Sequence, residues 1–384
     1  MKKVLFVATV VKLHIMEFHL PYLRMFKELG WETAVAARND YEDPADCAIP
    51  FCDRFYDIPF ERDPFSAGNL RAYRALKAVL DRGDFDIIHC HTPVGGALTR
   101  LCAGNARRNG SKVIYTAHGF HFYQGAPLRN RLLYYPVERW LARRTDVLIT
   151  INREDWQRAQ KFRAGRVCLV PGVGVDTAKF RGCACDRAEK RRALGLRPED
   201  PVLVSVGELT AGKGQGLCLE ALGVLKKRGQ LGTIRYLLCG SGPHEELLRK
   251  RAEELQLSEH VRFAGYRTDI PEILKCCDLF VSFSEREGLP VSVMEAMASG
   301  LPVLCSDVRG HRDLIRSGYN GELSARTPEA AAEAILRLIT DADTRARYAS
   351  AAQETIRDYD IENVRRQMLE IYQEVMADET GSQK

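Results

Sequence analysis

Short runs of apolar, often β-branched residues alternate with amphipathic segments along almost the whole chain. This alternation is typical of parallel sheets whose strands are connected by covering helices. A chain of 384 residues is too long for one core of ordinary size, so the pattern predicts an α/β protein with two doubly wound, Rossmann-like domains. Strands are predicted over Val4–Thr9, Thr33–Ala37, Ile87–His89, Val113–Thr116, Val147–Ile151, Val202–Val206, Tyr236–Cys239, Val261–Phe263, Leu279–Ser282 and Val303–Cys305.

The domain boundaries follow from a break in this alternation. The segment from Cys183 to Asp200 is rich in charges and lacks an apolar period. We therefore predict an N-terminal domain over residues 1–176, a linker over 177–200 and a C-terminal domain over 201–359. A last helix within residues 360–384 lies outside the rhythm of the second sheet, and we expect it to join the first domain. Ligands of doubly wound sheets bind beyond the carboxyl ends of the strands, so the expected site is a central cleft that the two domains face.

Composition and charge exclude several classes of protein. A hydrophobic fraction of 45% and a charged fraction of 28% are typical of a soluble globular protein. We find neither a signal-peptide cleavage site nor a stretch apolar enough for a membrane span. The twelve cysteines lack paired zinc-ligand spacing, so we expect free thiols in a reducing cytoplasm. From Ile87 to Arg166 the chain carries 14 basic against 4 acidic residues, which indicates an anionic partner.

The most specific motif runs from Ser284 to Gly300. A strand ends near Ser284, a turn with Glu287 and Gly288 follows, and we expect Pro290 to open a helix that ends at Ser299-Gly300. The first N–H groups of such a helix lack backbone partners and suit a diphosphate. Carboxylates beside a diphosphate would repel it, so Glu287 and Glu295 are expected to accept hydrogen bonds from sugar hydroxyls. An ordinary strand-turn-helix with two surface glutamates is the alternative.

This motif resembles the signature of glycosyltransferase family 4, whose members are retaining enzymes of the two-domain GT-B fold. Glu287 and Glu295 carry the resemblance: seven residues lie between them, and Ala-Met-Ala-Ser-Gly-Leu-Pro-Val follows Glu295. It implies that Glu287 contacts the donor sugar and Glu295 the ribose. The positions that match the family's donor nucleotide-binding residues are Gly207, Glu208, Lys213, Gly240, Gly265, Tyr266, Arg267, Gly288, Leu289, Val291 and Glu295.

Two of these positions concern the charge of the diphosphate. Lys213 lies in a Gly-rich turn after a predicted strand, where its ammonium can meet a phosphate, and the resemblance assigns it to the leaving group. Many family members carry arginine where this chain has Glu208. We therefore expect Lys213 to balance a larger share of the diphosphate charge.

Histidines mark the first domain. The segment Tyr115-Thr-Ala-His-Gly matches the family's cleft histidine, so His118 joins Glu287 and Lys213 as a catalytic candidate. His14, His91 and His121 are candidates on the acceptor side. Strand alternation places His89 and His91 on one face, but a metal site there would need a third ligand that the sequence does not reveal. The expectation is no metal and no cofactor, and we interpret the three Asp-x-Asp patterns as caps and turns.

The predicted function is retaining transfer of a sugar from a nucleotide diphosphate-sugar, with UDP favoured, to a glycan or lipid-linked acceptor. The loop after the first strand lacks the glycines that the family often has there. In this respect the chain resembles the family's enzymes of bacterial surface polysaccharide synthesis. Their lipid-diphosphate acceptors agree with a basic amphipathic segment, Leu128–Arg144, that suits the inner face of an anionic membrane. A helix that flanks the sheet and has a solvated basic side is the alternative for this segment. A nucleotide-sugar epimerase of the same fold and a non-catalytic binder of sugar nucleotides or nucleic acid are the alternatives, although no nucleic-acid motif is present.

Overall fold

The structure, a computed structural model, describes residues 1–377, which divide into two compact units. The first unit comprises Met1–Val173 and the chain from Val364 onwards, and the second comprises Gly174–Asn363. Each unit contains one parallel sheet. All twelve cysteines are free. None of the helices within residues 1–377 combines the length and apolar content needed to cross a membrane.

The sheet of the first unit has seven strands in the order β3-β2-β1-β4-β5-β6-β7. They are β1 (Lys3–Val10), β2 (Glu32–Arg38), β3 (Arg54–Asp57), β4 (Ile87–His91), β5 (Lys112–Ala117), β6 (Val147–Thr150) and β7 (Arg166–Leu169). The α-helices are α1 (Met16–Phe18), α2 (Leu20–Glu28), α3 (Asn69–Arg82), α4 (Pro93–Cys102), α5 (Gly104–Arg108), α6 (Leu128–Leu141) and α7 (Arg153–Ala159). A π-helical turn over Val11–Ile15 follows β1 directly.

Both faces of this sheet are buried. In β1, Leu5 and Val7 pack into one apolar cluster, and Val4 and Phe6 pack into another. Burial on both faces explains why the central strands read as continuous apolar runs. The helix α17 (Ile361–Ala377), which closes the described chain, belongs to the second cluster through residues such as Met368. The predicted last helix reached residue 384, and residues 378–384 lie outside the described part of the chain.

The sheet of the second unit has six strands in the order β10-β9-β8-β11-β12-β13. They are β8 (Val202–Val206), β9 (Arg235–Cys239), β10 (Val261–Gly265), β11 (Leu279–Ser282), β12 (Val303–Ser306) and β13 (Glu322–Ser324). The helices are α8 (Thr177–Gly182), α9 (Arg187–Ala193), α10 (Gln215–Lys227), α11 (Glu245–Glu254), α12 (Ile270–Cys276), α13 (Val291–Ala298), α14 (Arg309–Leu314), α15 (Pro328–Thr340) and α16 (Ala342–Thr355).

The charge-dense stretch 177–200, predicted as a linker, contains α8 and α9 and lies within the second unit. Arg191 of α9 is buried, donates from Nε to the carbonyl of Cys276 at 2.8 Å and pairs with Asp278. The charges therefore anchor α9 to the sheet, which an apolar-period search does not detect.

Candidate functional site

The second sheet reverses its strand order between β8 and β11. The chain leaves β8 towards β9 on one side, and β11 leads to β12 on the other. Adjacent strands whose connections diverge leave a crevice at their carboxyl ends, and doubly wound sheets bind ligands there. The loops that follow β8 and β11 carry Lys213 and Glu287.

Lys213 and Glu287 meet at this crevice. Lys213 lies in a 3₁₀ turn after β8, and its Nζ atom lies 2.8 Å from Oε1 of Glu287. The lysine side chain is 41% exposed and that of the glutamate 11%. The structure thus brings two of the predicted catalytic residues together, and the ammonium of Lys213 is more exposed to solvent than the carboxylate of Glu287.

Glycines allow the neighbouring loops to approach each other closely. Gly214 has φ +72°, and a Cβ atom there would lie 2.1 Å from the carbonyl oxygen of Phe283, before the Glu287 turn. Gly240, after β9, has φ +147°, and its Cβ would lie 1.9 Å from the carbonyl oxygen of Gly207. Side chains at these two positions would push the three loops apart.

The helix α13 presents its N-terminus after the Glu287 turn. It begins at Val291, one residue later than predicted, because Pro290 keeps an extended backbone as the capping residue. No side chain caps the helix, so the N–H groups of Val291 and Ser292 are available to an anion. Gly300, with φ +74°, follows the end of the helix, as the Ser-Gly pair predicts.

Glu295 lies near the middle of α13 and is half-buried. Burial raises the pKa of Glu295 to about 7, and the charge of Lys179 on α8 partly opposes this shift. A carboxyl whose pKa lies near neutrality, on a helix that starts at the crevice, is typical of a functional position.

The segment after β10 carries an exposed aromatic side chain. Tyr266 is 76% exposed, directly after Gly265, whose φ is +67°. The carbonyl of Gly265 accepts from the N–H of Gly240 at 2.8 Å, so this loop adjoins the glycine turn after β9. Arg267 is held by Asp269, with Nε 2.8 Å from Oδ1. The Arg267 guanidinium and Lys190 hold the pKa of Asp269 well below its usual range.

Glu208 has an exposed side chain beside the crevice. Its carbonyl accepts from Nε2 of Gln215 at 3.0 Å, which fixes the backbone of the loop after β8. This position therefore supplies no cation for a diphosphate.

The sequence prediction missed Arg309 and His311. Arg309 is buried at the start of α14 and donates from Nε to the carbonyl of Glu287 at 3.1 Å. His311 approaches the hydroxyl of Ser282 at 3.3 Å and the carbonyl of Ser306 at 2.8 Å. Arg309 and His311 both follow β12, the strand that pairs with β11. The signal in the sequence was the presence of basic residues directly after the strand next to the Glu287 motif.

In the first unit, the chain order also reverses, between β1 and β4. His91 ends β4 and His118 follows β5, and Nδ1 of His91 lies 3.3 Å from Nε2 of His118. His14, on the π-helical turn after β1, has its ring centroid 5.1 Å from that of His118. Burial lowers the pKa of His118 to about 4, so this imidazole is neutral at pH 7.

A fourth imidazole, His19, joins this group, which the sequence prediction overlooked. One nitrogen from each of His14, His19, His91 and His118 can be chosen so that all four lie within 4.8 Å of one another. These residues could hold a metal ion. For His19, the signal in the sequence was its position five residues after His14, in the segment that follows β1.

His89 and His121 lie outside this group. His89 shares a sheet face with His91, as alternation predicts, but its ring nitrogens contact the Tyr372 hydroxyl at 2.7 Å and the Thr116 hydroxyl at 2.8 Å. His121 instead packs against Tyr134, with ring centroids 4.8 Å apart, beside a pocket that His14 also lines.

Each Asp-x-Asp pattern has a structural partner. Asp341 caps α16 by accepting from the N–H of Thr344, and Asp86 accepts from the N–H of Lys3. Asp360 accepts from the N–H of Glu362 at 3.0 Å. The contacts of Asp341 and Asp360 are those of a cap and a turn, as predicted, whereas Asp86 instead holds the start of β1.

Comparison with known proteins identifies the family. Residues 186–355 match the family described as glycosyl transferases group 1, and residues 21–172 match the glycosyl transferase 4-like domain. The chain is 46% identical over 325 residues to EpsD of Bacillus subtilis (strain 168), itself named as a glycosyltransferase, with 84% of this chain and 83% of that protein covered.

The chain belongs to the family 4 type of glycosyltransferases. A more distant relative, 28% identical over 259 residues and covering 66% of each chain, is the UDP-Gal:alpha-D-GlcNAc-diphosphoundecaprenol alpha-1,3-galactosyltransferase of Escherichia coli. Among solved structures, Anabaena HepE in complex with UDP and glucose has a TM-score of 0.78 at 21% identity, covering 97% of this chain and 100% of its own. The glycosyltransferase therefore has the GT-B fold with two Rossmann-like domains, and it acts in glycan synthesis.

Proposed function

We propose that the glycosyltransferase moves a hexose from a UDP-sugar to a polyprenyl-diphosphate-linked acceptor, with retention at the anomeric carbon and without a metal ion at the donor diphosphate. One observation carries the proposal. Lys213 and the uncapped N-terminus of α13 follow the adjacent strands β8 and β11 of the second unit, where their positive charges are fixed before a donor arrives. Preorganised positive charge can stabilise a departing diphosphate in place of a metal ion.

The Lys213–Glu287 pair suits an exchange of partners. On donor binding, the ammonium of Lys213 turns to a phosphate oxygen, and the Glu287 carboxylate accepts from a hydroxyl of the donor sugar. Glu295, further along α13, accepts from the ribose hydroxyls. The resemblance to family 4 supports both roles, as does the position of Glu287 in the turn before α13 and of Glu295 within that helix.

The transfer step replaces one bond with another at the anomeric carbon. The bond from this carbon to the diphosphate oxygen breaks, and the acceptor hydroxyl forms its new bond on the same face through an oxocarbenium-like state. The acceptor proton passes to the departing diphosphate. The resemblance to family 4 implies that His118 of the first unit serves as a hydrogen-bond donor to the sugar.

The exposed ring of Tyr266 and the backbone beside Gly265 form the proposed base-binding edge. The name of the E. coli relative, which specifies a UDP-sugar donor, and the UDP bound to HepE support uridine as the base. The likeness to HepE by itself concerns only the fold.

The acceptor proposal rests on α6 and on the E. coli relative, whose name specifies a diphosphoundecaprenol-linked sugar. Large apolar side chains of α6 are exposed, namely Leu128, Leu132, Leu133, Val137 and Trp140. Exposed arginines, including Arg131 and Arg139, stand among them, and Arg143 follows in the turn after the helix. A helix with this combination can lie at the surface of an anionic bilayer, where a lipid-linked acceptor resides. We place the enzyme at the inner face of the membrane in surface polysaccharide synthesis.

A donor panel tests the proposal. The purified protein is incubated with UDP-, GDP- and ADP-sugars, and thermal protection and slow donor hydrolysis are recorded with and without added Mg²⁺ or Mn²⁺. We expect protection and hydrolysis with a UDP-sugar alone, changed less than about twofold by either ion, and retention in the product by NMR. Preference for another base, dependence on either ion, or inversion would each refute the corresponding part of the proposal. Conversion of the donor into its epimer would favour the epimerase.

A further inference from the structure

Four histidines of the first unit converge from three consecutive parts of the sheet edge. His14 lies on the π-helical turn after β1, and His19 lies between α1 and α2. His91 ends β4, and His118 follows β5. The group consists of imidazoles alone, with one nitrogen of each within 4.8 Å of the others. It lies at the carboxyl ends of the strands where the chain order reverses, which is where such sheets bind ligands.

Several nitrogens of this group are buried without a hydrogen-bond partner. They are Nε2 of His14, Nδ1 and Nε2 of His19, and Nε2 of His91. His19 and His91 are each only 1% exposed. An unpartnered buried nitrogen costs free energy, and native structures contain few of them unless a ligand or ion completes the site. Four such atoms in one group therefore indicate an absent ligand.

Spacing and chemistry favour a transition-metal ion. Two ligands of a tetrahedral zinc ion, each at a Zn–N distance of about 2.0–2.1 Å, are roughly 3.3–3.4 Å apart. Nδ1 of His91 and Nε2 of His118 lie 3.3 Å apart in a hydrogen bond, a contact that an ion between the two rings would replace. Imidazoles suit Zn²⁺, Cu²⁺ and Ni²⁺, whereas Mg²⁺ and Ca²⁺ require oxygen ligands.

We propose that His14, His19, His91 and His118 form a zinc-binding site. The ion ties the segment after β1 to the ends of β4 and β5, and it thereby stabilises a π-helical turn, a conformation that occurs mainly at functional sites. Coordination through Nε2 would leave Nδ1 of His118 as the hydrogen-bond donor. The inference departs from the sequence expectation of no metal. It shares one residue, His118, with the proposed donor chemistry, whose Lys213, Glu287 and Glu295 belong to the second unit.

The test measures metal binding without donor or acceptor, so its outcome is separate from that of the transferase assay. The protein is stripped with a strong chelator under reducing conditions, then titrated with Zn²⁺ against a competing indicator. We expect one tightly bound ion per chain, and binding at least about tenfold weaker in His14→Gln and in His118→Gln. His121→Gln in the same unit and His260→Gln in the other are matched controls and should bind as the wild type does.

Cobalt substitution separates this site from the twelve free cysteines. Imidazole-bound tetrahedral Co²⁺ absorbs in the visible region without the near-ultraviolet sulfur-to-metal band that thiolate ligands produce. His14 and His118 are only partly buried, so both variants are expected to fold, which circular dichroism checks. Zinc should raise the melting temperature of the wild type and of both controls, but not of His14→Gln. Binding of less than half an ion per chain, equal affinity in the cluster variants, or a thiolate spectrum would overturn the proposal.

Discussion

The Nζ atom of Lys213 lies 2.8 Å from Oε1 of Glu287, and the lysine is the more exposed partner, at 41% against 11%. A ligand that enters the crevice of the second sheet therefore reaches the ammonium before the carboxylate. A phosphate that replaces Glu287 as the partner of Lys213 keeps the ammonium paired, because the ion pair is exchanged for another. The carboxylate is then left to accept from a hydroxyl.

The first prediction concerns this lysine. Lys213→Ala should lower the rate of donor turnover by about 100-fold or more, because it removes a preorganised charge from the leaving group. Lys227→Ala at the end of α10 removes the same charge from an exposed position and should leave turnover unchanged. Steady-state release of UDP measures both. A Lys213→Ala enzyme within a few-fold of the wild type would show that the lysine has no role at the leaving group.

A double variant separates two roles of this lysine. If Lys213 only neutralises Glu287, then Glu287→Gln introduced into Lys213→Ala should restore affinity for UDP. If Lys213 binds the phosphate, affinity stays low in the double variant. We expect the second result by isothermal titration with UDP, which does not involve the sugar contact assigned to Glu287.

The second prediction follows from the pKa of Glu295, which burial raises to about 7. The ionised carboxylate is the better acceptor of ribose hydroxyls, so affinity for the donor should increase as pH rises from 6 to 8. UDP-glucose is the suitable probe, because its phosphates do not titrate in this range. Glu295→Gln should bind more weakly at pH 8 and lose the pH dependence. A wild-type affinity that is flat across this range would contradict the proposed ribose contact.

The raised pKa of Glu295 also predicts that the protein without ligand becomes less stable as pH rises, whereas its affinity for the donor increases. Below about pH 4.5 the Glu295 carboxyl is protonated in both the folded and the unfolded state, and as pH rises to 7 the unfolded chain ionises first. Its contribution to the free energy of unfolding therefore falls through this range and is fully lost above about 7. Glu295→Gln should then stabilise the unliganded protein at pH 8, by up to about 3 kcal/mol, as denaturant melts at pH 5 and pH 8 would reveal.

The sequence predicted ten of the thirteen strands found within residues 1–377, and the three that it missed all lie at an edge of a sheet. β3, β7 and β13 are edge strands. β3 and β7 are partly exposed, and β13 has only three residues. Central strands are buried on both faces and show as apolar runs, whereas an edge strand with polar residues has no such signature.

The candidate site was predictable to the extent that its residues are close in sequence. The Glu287 to Gly300 motif and the Lys213 turn are local patterns, and the structure places them beside each other. The contact of Arg309 with the Glu287 carbonyl depends on the order of the strands. The histidine group could likewise be found only once the strand order was known, because its members His14 and His118 are 104 positions apart in the sequence.

The third prediction concerns α6. Replacing Arg139, Arg143 and Arg144 with Gln should abolish binding to anionic vesicles, because each basic residue near the surface contributes about 1 kcal/mol. The control replaces Lys226, Lys227 and Arg228, at the end of α10, which changes the net charge equally. Sedimentation with vesicles of anionic lipid and of zwitterionic lipid measures both variants. Equal loss in the control would attribute binding to net charge, and unchanged binding in the α6 variant would exclude this surface.

The final prediction tests the close approach of the loops after β8 and β11. Gly214→Ala should destabilise the protein by about 3 kcal/mol or more, because alanine would be strained at φ +72° and its Cβ would lie 2.1 Å from the Phe283 carbonyl oxygen. Gly212→Ala, in the same turn, is the matched control. A Cβ there meets no atom within 4 Å, so its melting temperature should match that of the wild type. Any Gly214→Ala protein that folds should also bind UDP more weakly, since Lys213 adjoins the displaced residue. Equal melting temperatures for the two variants would mean that the loops separate without cost, and the fixed position of Lys213 against Glu287 would then lose its structural basis.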